Sequence, residues 1–287
     1  MPCILWSQPI SATVQGFALA RERNWLVLWD AKQWLYLVDS HGQRQGQFQA
    51  SADIRMASIA DDGSGLAAVT ANGSLLWLAP DMTLRWQETL SASGLSVATD
   101  PLGQYLAVAD QQGQLHILDH LGQRISQSQC PRPLRYLAFI PEAPALVGCA
   151  DFGWVACGDW RGNWQWHDGL VAHVGSLAVD GAGQAILLAC YGEGLRQYAV
   201  TGKHVGRLAV GEPCRLAAVS YDGQWLAAAD LSHRLLLIDR EQRIRFVHAL
   251  EQPPVAVALS PLADRAYVLL ANGVLTCLET KDIIRSG

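Results

Sequence analysis

A repeat of 40 residues runs through the whole chain without an insertion or a deletion. Stepping forward by 40 from Ala18 meets a small residue in every copy, namely Ser58, Ala98, Ala138, Ala178, Ala218 and Ala258. Two further columns are almost entirely aliphatic, and two others contain the glycines of tight turns. Seven copies and seven additional residues account for the 287 residues. A repeat of this length has to be interpreted before individual elements, because it decides the fold.

Within each copy the apolar residues follow the period of strands. Residues 104–119, QYLAVADQQGQLHILD, contain one strand, a turn with glycine and a second strand. Runs near 95–99 and 124–128 add two more strands to the same copy. A sheet of four antiparallel strands cannot bury both of its faces alone, so the copies must pack against one another. We predict an all-β fold, a seven-bladed β-propeller of four-stranded antiparallel blades.

The repeat predicts a single domain over residues 1–287. The expected blades lie near 14–53, 54–93, 94–133, 134–173, 174–213 and 214–253, and the last one combines 254–287 with 1–13. Residues 4–8 fall in the column of an outer strand, so we expect the N-terminal strand to complete the last blade and close the propeller. Residues 283–287 fall in the same column and are the alternative.

Several turn and strand-end motifs resemble those of WD-repeat propellers. They are the block SYDGQWLA at 220–227, the triplet SPL at 260–262, and the pairs Val38-Asp39, Leu118-Asp119, Gly158-Asp159 and Ile238-Asp239. These stand where that family has its S-P-D-G turn and its W-D dipeptide. The chain lacks the Trp of W-D and nearly every Gly-His pair, and a quinoprotein-like propeller is equally compatible. The resemblance implies a scaffold that binds proteins.

Composition excludes several classes of function. The net charge is −5 and no basic run is present, so nucleic acid is not an expected partner. The chain has no apolar stretch near the ~20 residues of a spanning helix and no secretory signal, which predicts a cytoplasmic protein without membrane insertion. Seven scattered cysteines without a C-x-x-C pair argue against a disulfide framework or a structural zinc site.

The first candidate site is a column near the start of the first strand of each copy. It reads Gln15, Arg55, Leu95, Arg135, Gly175, Arg215 and Val255. Three arginines on alternate blades could converge on a carboxylate or a phosphate at the end of the central channel. Asp110 and Asp230, with Asp30, lie in hairpin loops expected on the same side. The alternative is that each arginine forms an ion pair with one of these acids.

The second candidate site is the fourth copy, which has four tryptophans between residues 154 and 166. Trp160 and Trp164 replace loop and polar residues of the other copies. Exposed aromatic rings beside Arg161 are typical of a protein-binding hot spot. The alternative is local packing of Trp160 on Trp164.

The sequence favours a non-enzymatic binding module for one or more proteins, either alone or as a subunit of a larger complex. It contains no nucleophile motif, no Walker motif and no HExxH, and we expect no metal and no other cofactor. His167, Asp168 and His173 straddle an outer strand and the next connection, which is a poor arrangement for a metal. The alternative is a small-ligand binder or a metal-dependent propeller enzyme of the lyase, lactonase or quinoprotein type, acting at the channel mouth.

Overall fold

The computed structural model of the chain describes residues 3–208, 210, 213–281 and 284. Its strands form seven antiparallel sheets of four strands each. The fold is the seven-bladed β-propeller that the repeat predicts. Within the described ranges, no helix is long and apolar enough to cross a membrane.

Each blade contains four consecutive strands, except the last. Blade 1 consists of β2 (Val14–Ala20), β3 (Trp25–Asp30), β4 (Trp34–Val38) and β5 (Arg44–Gln49), and blade 2 of β6 (Ile54–Ile59), β7 (Leu66–Thr70), β8 (Ser74–Leu78) and β9 (Leu84–Thr89). Blade 3 consists of β10 (Gly94–Thr99), β11 (Tyr105–Asp110), β12 (Gln114–Asp119) and β13 (Arg124–Gln129), and blade 4 of β14 (Tyr136–Ile140), β15 (Ala145–Cys149), β16 (Val155–Asp159) and β17 (Trp164–Asp168). Blade 5 consists of β18 (Val174–Val179), β19 (Ile186–Cys190), β20 (Gly194–Tyr198) and β21 (His204–Leu208), and blade 6 of β22 (Cys214–Val219), β23 (Trp225–Asp230), β24 (Arg234–Asp239) and β25 (Ile244–Ala249).

Blade 7 combines the two ends of the chain. It contains β26 (Pro254–Leu259), β27 (Arg265–Leu270) and β28 (Val274–Glu279), and its fourth strand is β1 (Cys3–Pro9). β1 pairs antiparallel with β28. The prediction that the N-terminal strand completes the last blade is therefore confirmed. Of the alternative segment 283–287, only Ile284 lies within the described residues, and it packs against the apolar cluster of blades 6 and 7.

The chain divides into two compact units. A four-blade unit comprises Thr13–Phe139 and Pro144–Gly169, and a three-blade unit comprises Met1–Ala12, Ile140–Ala143 and Leu170–Gly287. The single domain expected over residues 1–287 stays a prediction.

Adjacent blades within a unit share their apolar cores. In the four-blade unit, Val27 and Leu37 of blade 1 belong to one cluster with Leu66 and Ala68 of blade 2. The second and third strands are buried on both faces, whereas the fourth strand alternates between exposed and half-buried side chains. The period-two pattern is thus clear only in the fourth strand, since the strands between two neighbouring blades have no solvent face.

A β-bulge interrupts the first strand of six blades at one repeat position. The residues that the pairing skips are Gln15, Arg55, Leu95, Gly175, Arg215 and Val255. A bulged residue is left out of the hydrogen-bonded ladder, and its side chain is turned away from the regular alternation. This column contains the arginines of the first candidate site.

Candidate functional site

The arginines of the first candidate site occupy two kinds of position. Arg55 and Arg215 are the bulged residues of β6 and β22, and both side chains are exposed. Arg135 precedes β14, is half-buried, and donates a hydrogen bond from Nη1 to the carbonyl oxygen of Leu95 at 3.3 Å. Arg55 and Arg135 belong to the four-blade unit and Arg215 to the three-blade unit. Their convergence on one anion stays a prediction.

The aspartates expected beside these arginines have a different role. Asp110 ends β11 and is fully buried, and its Oδ1 accepts the backbone N–H groups of Gln112 and Gln114, both at 2.9 Å. Asp230 ends β23, and its Oδ2 lies 2.8 Å from Nε and from Nη2 of Arg234. The predicted ion pairs with the inner arginines are wrong at both aspartates, because each carboxylate bonds within its own hairpin.

Side-chain chemistry explains why aspartate recurs at strand ends. A short carboxylate that follows a strand can accept N–H groups two and four residues further on, which closes the turn. Asp39, Asp119 and Asp159 do the same after the third strand of their blades, with N···O distances of 2.8 to 3.0 Å. The strand-ending aspartates that resemble the WD motif are therefore turn residues in this chain.

Trp160 and Trp164 pack against different partners. The Trp160 ring lies on the ring of Tyr105 of blade 3, with centroids 4.4 Å apart. The Trp164 ring meets Trp154 edge-on at 5.3 Å and fills the space above Gly148, where a Cβ would be 2.7 Å from the indole. The predicted packing of Trp160 on Trp164 is wrong.

Trp160 and Arg161 form the accessible part of this aromatic group. Trp160 follows β16, is half-buried, and donates its backbone N–H to the carbonyl oxygen of Pro144 at 3.0 Å. Arg161 is exposed, and its guanidinium carbon lies 4.9 Å from the centroid of the Trp160 ring. We call Tyr105, Trp160 and Arg161 the blade-four stack. It presents one aromatic ring and one cation, held at the end of a strand.

Tyr105 is the member of the stack that sequence reasoning missed. It opens β11 in the same repeat column as Trp25 and Trp225, which predicts only a packing role. No sequence signal links it to Trp160, which lies 55 residues further along the chain. Arginines cover aromatic rings at two other places in the four-blade unit, Arg23 on Trp25 at 4.2 Å and Arg44 on Tyr36 at 4.5 Å.

A cleft in blades 5 and 6 was also missed. It has a volume of about 570 Å³ and belongs to the three-blade unit. Its polar lining comes from the loops after the first and third strands, and from β20. The sequence signal was an exchange of residue type in two columns: Asp180 stands where blades 6 and 7 have Ser220 and Ser260, and Gln242 stands where four blades have glycine.

The remaining candidates for chemistry are groups of metal-ligating side chains and the buried cysteines. No group of three or more His, Cys, Asp or Glu side chains could hold a metal ion in the part of the chain that the structure describes. Burial raises the pKa of the Cys157 thiol to about 11, and that of the Cys277 thiol to about 12. Both are neutral thiols near pH 7, which agrees with their role as small core residues.

Comparison with protein-family models gives no match, and no curated protein is significantly similar to the chain.

Proposed function

We propose that the chain is a non-enzymatic protein-binding module in the cytoplasm, either alone or as a subunit of a larger complex, and that it binds its partner through the blade-four stack. The observation that carries this proposal is the placement of Trp160, whose ring packs against Tyr105 with centroids 4.4 Å apart and planes tilted by 40°, and is covered by the exposed Arg161. Tryptophan, tyrosine and arginine are the residues most enriched in interface hot spots.

The stack is held in place before a partner arrives. The Trp160 backbone is fixed by its hydrogen bond to Pro144, and the ring is supported from below by Tyr105. A side chain that is already ordered loses little rotamer freedom on binding, so more of its contact energy contributes to affinity. Arg161 keeps its guanidinium in solvent, where it is available to a carboxylate of a partner.

Two further observations support the proposal. The motifs at Ser220–Gly223 and Ser260–Leu262 resemble WD-repeat propellers, a family of scaffolds. The described cysteines are all free, which suits a reducing compartment such as the cytoplasm. The inner arginines Arg55, Arg135 and Arg215 are the other candidate surface for the same partner.

Site-specific photo-crosslinking in the source cells distinguishes the two surfaces. A photoreactive amino acid is placed at residue 161 in one variant and at residue 55 in another. Both positions are exposed and both belong to the four-blade unit, but Arg55 is the second residue of a first strand whereas Arg161 follows a third strand. We expect residue 161 to capture one protein reproducibly and residue 55 to capture none. Capture from residue 55 alone, or from neither, would refute binding through the stack.

The captured partner is then purified, and its affinity is measured by titration calorimetry. We expect Trp160→Ala to cost more than about 2 kcal/mol, or about 30-fold in Kd, which is the size of a hot-spot effect. Arg161→Glu tests the same surface without removing a packed ring. Trp164→Phe is the matched control, because its ring contacts Trp154 inside blade 4. Equal affinity of wild type and Arg161→Glu would contradict the proposal.

A further inference from the structure

The cleft in blades 5 and 6 has the size and lining of a small-molecule site. Its volume of about 570 Å³ falls within the range of ligand pockets, roughly 300 to 1,000 Å³. Its lining is mixed, because carboxylates, primary amides, a tyrosine and an arginine lie beside Ala182, Ala185 and Leu226. A lining of this kind predicts a ligand that is itself rich in hydrogen-bonding groups.

Asp180 provides a buried carboxylate at this cleft. Its side chain is 3% exposed, and Oδ1 accepts the backbone N–H of Ala185 at 3.1 Å. Ser220 and Ser260 perform the same turn-closing task in blades 6 and 7, where each hydroxyl accepts an N–H five residues further on. A serine is therefore sufficient for the turn. The carboxylate adds a second oxygen, Oδ2, which lies beside Gly223 on the cleft wall.

Tyr221 and Gln242 also line the cleft. The Tyr221 ring lies against Gly181, where a Cβ would be 2.5 Å from the ring, so the aromatic face is held at the edge of the cleft. Gln242 is exposed and has a left-handed backbone with φ of 65°. Four other blades have a glycine at this repeat position, among them Gly122 and Gly162. Met82 has the same left-handed backbone in this column of blade 2, so the fold accepts a side chain here, and that of Gln242 lines the cleft.

The lining offers hydrogen-bond donors and acceptors and both signs of charge. Glu142, Asp180 and Asp222 contribute carboxylates, which disfavour an anion. Arg240 lies in the same cleft and donates from Nη1 to Oε1 of Gln224 at 3.3 Å, and the remaining polar side chains, four glutamines and Tyr221, are neutral. A neutral molecule with several hydroxyl groups can donate to the carboxylates and accept from the arginine and the amides. We infer that the cleft binds a neutral polyhydroxylated ligand, a monosaccharide or a disaccharide.

The test is a binding screen with named sugars on the full chain. Glucose, galactose, mannose, N-acetylglucosamine, maltose and sucrose are each titrated to 20 mM, with saturation-transfer NMR and calorimetry as readouts. Lysine and inorganic phosphate are the cationic and anionic probes. We expect saturable binding of at least one sugar and none of the two charged probes. Failure of every sugar to bind, or saturable binding of a charged probe alone, would overturn the inference.

Matched variants place the binding in this cleft. Asp180→Ser keeps the hydrogen bond that closes the turn and removes the carboxylate, and we expect at least a tenfold loss of affinity for the bound sugar. Arg240→Ala changes only an exposed side chain and should also weaken binding several-fold. Asp100→Ser is the control, since Asp100 closes the equivalent turn of blade 3. Unchanged affinity in both cleft variants would show that the sugar binds elsewhere and would overturn the assignment. The sugar site and the blade-four stack are tested by different ligands, so either can fail alone.

Discussion

His116 is expected to limit the stability of the folded chain, and replacing it with leucine should make the protein more stable. The side chain is 2% exposed in β12, and neither ring nitrogen has a hydrogen-bond partner among the described residues. Its Nε2 lies 3.8 Å from Oδ2 of Asp110, which is beyond hydrogen-bond distance. A buried polar group without a partner costs about 1–3 kcal/mol. Leu76 and Leu236 occupy the same repeat position in blades 2 and 6 and are buried, so the position accepts leucine.

The effect depends on pH in a direction that the structure determines. Burial lowers the pKa of His116, and Arg124 lowers it further, although Asp110 acts in the opposite direction. Between the lowered pKa and the ordinary value of 6.5, the unfolded chain therefore binds more protons than the folded chain. In this range the free energy of unfolding of the wild type falls as the pH is lowered, by at most about 1.4 kcal/mol for each pH unit. His116→Leu removes this loss.

Urea denaturation followed by tryptophan fluorescence, at intervals from pH 7.5 to pH 5, measures both parts of the prediction. At pH 7.5 we expect His116→Leu to be about 1 kcal/mol more stable than the wild type. At pH 5 the difference should be larger, because the wild type loses stability there that the leucine variant keeps. His120→Gln, on an exposed loop, is the control and should follow the wild type. Parallel curves for the wild type and His116→Leu, or a less stable variant at pH 7.5, would refute the reasoning.

Three further changes test other parts of the structure. Gln242→Gly should raise the free energy of unfolding by about 1 kcal/mol, because glycine adopts φ of 65° without strain, and chemical denaturation will show it. Gly65→Ala should lower it by about 2 kcal/mol, since the new Cβ would lie 2.1 Å from the Trp77 ring; a wild-type denaturation midpoint would contradict that contact. Burial raises the pKa of Asp180, so the stability that its protonated form contributes is lost as the pH rises through that pKa. Asp180→Ser should therefore gain stability relative to the wild type between pH 3.5 and pH 7, and a constant difference in thermal midpoint would argue against a buried carboxyl.

The architecture could be predicted because each column of the repeat reports the same physical environment seven times. One blade alone shows weak signals, since its second and third strands are buried on both faces and lose their alternation. Seven aligned copies separate the invariant apolar positions from the variable loops. The position of β1 followed from the same alignment, because residues 4–8 share a column with the fourth strands of the other blades.

The contacts of the candidate sites could not be predicted in the same way. A repeat column shows where along a strand or loop a side chain is attached, but it does not show which neighbouring side chain it contacts. Trp160 and Trp164 are four residues apart, yet one packs on Tyr105 and the other on Trp154. Bulges add a second uncertainty, because Arg55 is skipped by the pairing of β6 and its direction depends on that local geometry.

The residues that differ from their own column are the most informative about function. A column type such as serine at 220 and 260, or glycine at 122 and 162, shows which residue satisfies the fold. Asp180 has a carboxylate oxygen beyond the one that the turn uses, as Asp100 has in blade 3, but of these two aspartates only Asp180 lines the cleft, together with Gln242. A buried carboxyl and a left-handed glutamine both lower the stability of the fold, and the turns do not need them. This cost is the physical reason to assign ligand binding to these two residues. Trp160 differs from its column in another way, since its ring gains support from Tyr105 while Arg161 remains open to a partner.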